Sequence, residues 1–293
     1  MGKRFIGLLA VLLVLASCSS ARYARGLTIQ EIKEKYTGYN GTVEVVTFPS
    51  GEKKIAQRRF TVYLPPSYYQ DSTRRYPVLY VLHGARGNET TWIDRANAYH
   101  NLDSLVQNGL AKEFILVLPN LNRYFSEKDY RDGRAVNAIR AFWLLNGEAE
   151  RHFPRVIHYT DSLYRTIPEK HSRAIAGMST GGLQAIYLSA NHPEMFDYVG
   201  LFSPYAYPTV AALSHWDVYG HLWHKLRRQF KDAPEDYHIF IGTADIFHPH
   251  MRIFDRRLTR KGYRHTLTLT PGGHEWYNWE PYLIWFGQEI FQD

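Results

Sequence analysis

Short, largely apolar runs alternate with helix-like segments along most of the chain. Two runs near its start, Thr42 to Phe48 and Arg59 to Leu64, predict an antiparallel pair of strands. Later runs are bounded by turn residues, which is typical of strands buried on both faces of a sheet. These later runs are Val78 to Leu82, Phe114 to Leu118, Arg173 to Ala176, Tyr198 to Phe202, Tyr237 to Ile241 and Thr266 to Leu269.

Helix-like segments lie between these runs, at roughly residues 97–109, 147–165, 181–191, 250–262 and 280–291. This alternation predicts one α/β domain with a mostly parallel central sheet and helices on both of its faces. Two long connections, 121–146 and 203–222, are rich in aromatic residues. Long loops often form binding surfaces or lids, but these aromatic side chains are equally compatible with local packing.

The N-terminus has the pattern of an export signal. Lys3 and Arg4 precede an apolar stretch from Phe5 to Ala16, which is too short to span a bilayer as a mature helix. The following segment, Leu15-Ala16-Ser17-Cys18, resembles the bacterial lipobox, in which the cysteine carries the lipid. A plain secretory signal with a chance cysteine is the alternative.

We therefore predict a signal peptide over residues 1–17, a lipidated Cys18, a tether over 18–40 and the α/β domain over 41–293. The expected location is outside the cytoplasm, on a membrane that faces the periplasm or the cell surface. Cys18 is the single cysteine of the chain, so an internal disulfide and a cysteine nucleophile are both excluded.

The composition is that of a folded globular protein, because 45% of the residues are hydrophobic and 15% are aromatic. The formal net charge is +7, but the basic residues are scattered and form no tract. Nucleic-acid binding is usually accompanied by a concentrated basic face and a recognisable motif, so we expect no nucleic-acid partner.

The segment Gly177-Met178-Ser179-Thr180-Gly181-Gly182 carries the main chemical signal. An apolar strand, Ala174 to Ala176, leads into it, and a helix-like segment, Leu183 to Leu188, follows it. A G-x-S-x-G sequence in this strand–turn–helix setting predicts a nucleophile elbow. Ser179 is the predicted nucleophile.

A serine hydroxyl needs a base, and the base needs an orienting acid. His274 follows the last predicted strand, and Asp245 follows the strand before it. The order serine, acid, histidine is the order of α/β-hydrolases. Asp255 and Glu275 remain alternative acids, although Asp255 falls in a predicted helix and Glu275 adjoins His274.

Two backbone N–H groups should stabilise the oxyanion of the tetrahedral intermediate. We predict Thr180, directly after the nucleophile, and Ala85, in the loop that follows the strand Val78 to Leu82, with Arg86 as the alternative to Ala85. His83 in the same loop is predicted to be structural.

The segment His248-Pro249-His250 offers two histidines as candidate metal ligands. No third ligand stands at a motif spacing, so we expect no metal and no cofactor.

Several segments together resemble the esterase D-like family, which includes the feruloyl and acetylxylan esterases of carbohydrate esterase family one. The resemblance covers roughly residues 40–291. It rests on Tyr63-Leu64-Pro65-Pro66-Ser67-Tyr68, Leu82-His83-Gly84 with Trp92, Tyr164-Arg165-Thr166, Ala176 to Gly182, and Gly273-His274-Glu275-Trp276. The family often has Met at the position of Thr180 and Asp at the position of Glu275. Neither difference changes the triad residues that the resemblance implies, Ser179, Asp245 and His274.

The resemblance implies an α/β-hydrolase fold and a two-step acyl transfer through an acyl-enzyme. It also implies a substrate with feruloyl or acetyl esters on a plant polysaccharide or oligosaccharide, for which we predict contacts from Trp276 and Trp143; Trp279 is expected in the core. Other acyl chemistry on the same fold stays open: a siderophore trilactone esterase, a thioesterase or an acyltransferase. A non-catalytic glycan-binding lipoprotein is the remaining alternative.

Overall fold

The computed structural model describes residues 40–53, 55–85, 87–122, 145, 147–207 and 215–292. The predicted signal segment, Cys18, Arg86 and Trp143 lie outside these residues. No helix within the described part of the chain is long and apolar enough to cross a membrane.

One mixed sheet forms the centre of the domain, and its spatial order is β1-β2-β4-β3-β5-β6-β7-β8. The pairs β1–β2 and β2–β4 are antiparallel, and all other neighbours are parallel. The predicted mostly parallel sheet with an antiparallel strand pair at its start is thus confirmed. The strands are β1 (Thr42–Pro49), β2 (Gln57–Leu64), β3 (Val78–Leu82), β4 (Ile115–Pro119), β5 (Arg173–Met178), β6 (Tyr198–Phe202), β7 (Asp236–Gly242) and β8 (Thr266–Thr270).

Helices cover both faces of the sheet in the described residues. They are α1 (Thr91–Ala96), α2 (Ala98–Gln107), α3 (Glu148–Arg151), α4 (Phe153–Leu163), α5 (Thr180–Asn191), α6 (Trp216–Tyr219), α7 (Leu222–Gln229), α8 (His248–Arg260) and α9 (Trp276–Glu289). Single 3-10 turns lie at Pro66–Tyr69, Lys170–Ser172 and Phe230–Asp232.

The alternation of side chains along each strand divides the core into two layers. In β3, the side chains of Val78, Tyr80 and Leu82 join the layer that α4, α5, α7 and α8 cover. Leu79 and Val81 point to the other layer, which α1, α2 and α9 cover. Every residue of β3 is buried, so the continuous apolar run is explained by burial on both faces.

Two predicted helices and one predicted long connection differ from the structure. The segment 147–165 contains two helices rather than one: α3 ends at Arg151, and Pro154 lies in the first turn of α4, where a missing N–H costs nothing. The last helix begins at Trp276, earlier than predicted, and has Pro281 inside it. The connection 203–222 is interrupted by the short helix α6.

The carboxyl ends of the parallel strands meet at one edge of the sheet, as expected for an α/β fold. The loops after β5, β7 and β8 carry Ser179, Asp245 and His274 to this edge. The loop after β3, with Ala85, reaches the same edge.

Candidate active site

Ser179 occupies a sharp turn between β5 and α5. Its backbone has φ 53° and ψ −116°, a conformation that residues other than glycine rarely adopt. Such strained backbone is typical of functional turns. The Ser179 N–H donates to the carbonyl oxygen of Phe202 at 2.9 Å, which fixes the turn to β6.

Gly181 is required by close packing rather than by backbone angle. A Cβ atom on Gly181 would lie 2.5 Å from the backbone oxygen of His83 and 2.6 Å from that of Leu82. Both contacts are shorter than Cβ atoms tolerate. The elbow and the loop after β3 therefore lie in direct contact, which explains the Gly after the Ser179-Thr180 pair.

The imidazole of His274 lies between Ser179 and Asp245. Its Nε2 is 2.9 Å from the Ser179 Oγ, and its Nδ1 is 3.0 Å from Asp245 Oδ2. If Nδ1–H donates to the carboxylate, the Nε2 lone pair faces the serine hydroxyl and can accept its proton. The structure thus brings the predicted nucleophile, base and acid together in one hydrogen-bonded line.

The carboxylate of Asp245 is held in place from its other side. Its Oδ1 accepts the Phe247 N–H at 2.8 Å, and its side chain is fully shielded from solvent. A buried carboxylate with a fixed orientation holds one tautomer of His274 and stabilises its protonated form.

The alternative acids have other partners. Asp255 Oδ1 lies 3.1 Å from the Nε2 of His265, and Glu275 Oε1 accepts the Gly273 N–H at 3.2 Å. The structure places neither carboxylate on His274.

The loop that carries His274 is braced by a side chain that the sequence analysis missed. Asn278 is buried in α9, and its Nδ2 donates to the carbonyl oxygen of Gly273 at 2.9 Å. Gly272 has φ +89°, in the left-handed region that favours glycine. An asparagine four residues after a histidine carries no distinctive sequence pattern, so only the fold reveals this brace.

The predicted oxyanion donors belong to the turn after β5 and to the loop after β3. Thr180 is the first residue of α5, so its N–H has no acceptor within the helix and lies at the positive end of the helix dipole. Ala85 follows Gly84, at which a Cβ atom would lie 3.4 Å from the side chain of Met178, the residue before Ser179. Their function as oxyanion donors stays a prediction.

His83 shapes this loop from within the core. The Leu121 N–H donates to its Nε2 at 3.1 Å, so Nδ1 carries the proton and donates to the Gly84 oxygen at 2.8 Å. Burial lowers the pKa of His83 to about 4, so the ring is neutral at physiological pH. Both ring nitrogens thus form hydrogen bonds with backbone groups, as expected of a histidine with a structural role.

Aromatic rings surround the base. Phe247 and Trp279 meet the His274 ring edge to face, with centroids 5.0 and 4.9 Å away, and Tyr205 packs on Phe247 at 5.0 Å. Burial raises the pKa of Tyr205 to about 12, against the effect of a hydrogen bond with the Thr180 side chain. Phe247 was not identified from the sequence, although it lies only two residues after Asp245.

The two tryptophans near the base differ in exposure. Trp276 is half-buried and meets Trp92 and Trp279 edge to face at 5.3 and 5.2 Å. Trp279 is buried among core residues. Trp279 therefore belongs to the core, whereas contact between Trp276 and a substrate stays a prediction.

The histidines considered for a metal have other surroundings. His248 begins α8, and the His250 ring packs on Tyr207 with centroids 5.5 Å apart. Among the described residues, neither belongs to a group of three closely spaced metal-binding side chains.

Comparison with known proteins places the chain within a family. The sequence model of the family described as putative esterase matches residues 56–286. An endo-1,4-β-xylanase/feruloyl esterase of Xylanibacter ruminicola is 27% identical over 283 residues, which is 93% of this chain. The chain spans 35% of the length of that relative.

Solved structures support the fold. A carbohydrate esterase family one ferulic acid esterase from Anaeromyces mucronatus matches with a TM-score of 0.65 and 21% identity, over 92% of this chain and 95% of that one. An S-formylglutathione hydrolase from Staphylococcus aureus matches with a TM-score of 0.66 and 15% identity, over 86% and 98% respectively. At these identities the likeness shows a common fold, the predicted α/β-hydrolase fold.

Proposed function

Because the chain belongs to the putative esterase family, we propose that it is a serine carboxylic-ester hydrolase that works through an acyl-enzyme. One observation carries this proposal: His274 lies within hydrogen-bond distance of both the Ser179 hydroxyl and the buried Asp245 carboxylate.

Acylation begins when Ser179 Oγ attacks the ester carbonyl carbon while His274 Nε2 takes the hydroxyl proton. The C–O π electrons move to the carbonyl oxygen, and the N–H groups of Thr180 and Ala85 would stabilise the resulting negative charge. Asp245 stabilises the imidazolium. Collapse of the intermediate breaks the ester C–O bond, and His274 returns the proton to the departing alcohol.

Deacylation repeats the same proton movements with water. His274 Nε2 removes a proton from water, the hydroxide oxygen attacks the acyl carbon, and the bond to Ser179 Oγ breaks. The proton returns to Ser179, and the carboxylic acid leaves. No group beyond this chain's own residues and water is required for the balance of atoms.

We further propose that the acyl group is feruloyl or acetyl and that the alcohol is a plant polysaccharide or oligosaccharide. The name of the Xylanibacter ruminicola relative supports this substrate class. The aromatic side chains near His274 support it as well, because Phe247, Tyr205 and Trp276 are all half-buried and keep part of their surface exposed. Planar acyl groups and sugar rings both stack on such faces.

A substrate panel tests both levels of the proposal. Wild type, Ser179→Ala and the exposed control Ser162→Ala are assayed on methyl ferulate, acetylated xylan, a thioester and a catecholate trilactone. We expect release of ferulate or acetate by wild type and Ser162→Ala, and none by Ser179→Ala. Full turnover by Ser179→Ala would refute the mechanism, whereas preference for the thioester or the trilactone would refute only the substrate class.

We also propose that the protein is exported and anchored to a membrane by a lipid on Cys18. The basic start, the short apolar stretch and the lipobox-like segment before Cys18 support this location. In the native host, Cys18→Ser should move the protein from the membrane fraction to the soluble exported fraction and abolish incorporation of labelled fatty acid. Unchanged partitioning would contradict the anchor.

A further inference from the structure

Three side chains with metal-binding atoms converge at the edge of the sheet opposite to the triad. Asp236 and His238 lie two residues apart on β7, so their side chains share a face, and Glu289 reaches them from the last residue of α9. His238 Nδ1 is 3.0 Å from Glu289 Oε2 and 3.8 Å from Asp236 Oδ2. All three atoms lie within 4.8 Å of one another.

Neither neutral tautomer of His238 gives all three side chains a complete set of hydrogen bonds. The Nε2 atom is 2.7 Å from the Thr268 Oγ1, so one ring nitrogen is already engaged on β8. If Nε2–H donates to Thr268, the Nδ1 lone pair faces the Glu289 carboxylate. If Nδ1–H donates to Glu289 instead, Asp236 Oδ2 is still buried without a hydrogen-bond partner. A buried carboxylate oxygen without a donor is costly.

The cation nearest to this group does not pair with Asp236. The Arg264 guanidinium donates to the backbone and side chain of Glu235 instead. Within the described residues no donor reaches Asp236 Oδ2, and a metal ion between the two carboxylates would fill this position.

We infer that Asp236, His238 and Glu289 bind a divalent transition-metal cation. One imidazole nitrogen and two carboxylate oxygens form a ligand set that suits Zn²⁺, whereas Ca²⁺ and Mg²⁺ prefer oxygen ligands alone. A solvent-accessible cavity of about 330 Å³ adjoins the three side chains and leaves room for water in the remaining coordination positions. The bond between His238 Nε2 and Thr268 orients the ring, as outer contacts of metal-binding histidines commonly do.

This site would join the C-terminal end of α9 to the beginning of β7. Its expected role is structural, because the cluster lies at the opposite end of β7 from Asp245. β7 is seven residues long, which places its two ends roughly 20 Å apart.

Titration calorimetry on EDTA-treated protein tests the site with ZnCl2, MnCl2 and CaCl2. Wild type should bind one Zn²⁺ per chain, more tightly than Mn²⁺, with no heat from Ca²⁺. Asp236→Asn and Glu289→Gln should each weaken Zn²⁺ binding by at least about tenfold. Saturating Zn²⁺ should raise the unfolding temperature of wild type and have little effect on that of either variant.

Two controls separate this site from other histidine–carboxylate pairs. His265→Gln removes the His265–Asp255 pair, which has a comparable contact of 3.1 Å but, among the described residues, no third metal-binding side chain. His274→Ala removes the triad histidine. Both proteins should bind Zn²⁺ like wild type. Absence of Zn²⁺ binding in wild type, undiminished binding in Asp236→Asn and Glu289→Gln, or loss of binding in His274→Ala would overturn the inference.

Discussion

The substitution Asp245→Asn tests the acid of the triad with a minimal change in shape. In the native site, Oδ1 accepts the Phe247 N–H and Oδ2 faces His274 Nδ1. An asparagine amide has one oxygen and one NH2 group. The oxygen will remain with the Phe247 N–H, because the reverse orientation would place two donors against each other.

The orientation of the asparagine amide determines which ring nitrogen of His274 carries the proton. Its NH2 group would then donate to His274 Nδ1, so the proton of the neutral ring would move to Nε2. A protonated Nε2 at 2.9 Å from Ser179 Oγ cannot accept the hydroxyl proton. The charge that stabilises the imidazolium is also lost. We expect kcat to fall by about 10⁴-fold, or about 5 kcal/mol of transition-state stabilisation.

Steady-state kinetics on 4-nitrophenyl acetate and methyl ferulate provide the assay. KM should change little, because Asp245 is 3% exposed and does not line a surface that a substrate can reach. The matched control is Asp255→Asn, which alters another aspartate paired with a histidine and should keep wild-type kcat. A kcat for Asp245→Asn within tenfold of wild type would refute the reasoning, and a large loss in Asp255→Asn instead would assign the acid to that residue.

Three further substitutions follow from the geometry of the site. Gly181→Ala should lower kcat by about 100-fold by displacing the elbow from the backbone oxygen of His83, whereas Gly287→Ala, whose nearest contact would be 3.6 Å, should have wild-type kinetics. Because the pKa of His83 is lowered from 6.5 to about 4, its contribution to stability is complete above pH 6.5 and decreases by about 3 kcal/mol as the pH falls towards 4. In urea unfolding, the total loss of stability over this range should therefore be about 3 kcal/mol smaller in His83→Gln than in wild type. Trp276→Ala should reduce kcat/KM for methyl ferulate roughly fivefold, equivalent to about 1 kcal/mol of ring contact, with little change for 4-nitrophenyl acetate; the exposed control Tyr277→Ala should match wild type on both esters.

The strands were predictable because burial on both faces of a sheet requires continuous apolar runs, which are visible in the local sequence. Each predicted strand is present within two residues of its expected ends, for example β3 at Val78–Leu82 and β6 at Tyr198–Phe202. The spatial order was not predictable in the same way. β4 lies between β2 and β3, and nothing in its own residues records which neighbours it pairs with.

Helix ends were less predictable, because they depend on contacts made elsewhere in the fold. Pro281 is a helix-breaking residue in sequence, yet it lies inside α9, where the start of the helix packs on the aromatic layer through Trp276 and Trp279. The break at His152 was missed because the residues on either side of it form one continuous helix-like pattern.

The residues of the candidate site were predictable where they directly follow a predicted strand. Ser179, Asp245 and His274 each follow a predicted strand, and parallel strands bring their carboxyl ends together. Phe247, Asn278 and the metal-binding group were not predictable, because their significance depends on contacts between separate elements. Glu289, for instance, lies 51 residues from His238 along the chain and meets it only in the folded domain.

The two ends of β7 therefore lie at two separate sites. At its carboxyl end, the strand leads into the loop of Asp245; at its beginning, Asp236 and His238 face Glu289. The two groups lie at opposite ends of a strand roughly 20 Å long and share no side chain. Ester hydrolysis and Zn²⁺ binding are consequently independent measurements. A chain that hydrolyses esters without binding Zn²⁺ would refute the metal site alone, and a chain that binds Zn²⁺ without hydrolysing any ester would refute the triad mechanism alone.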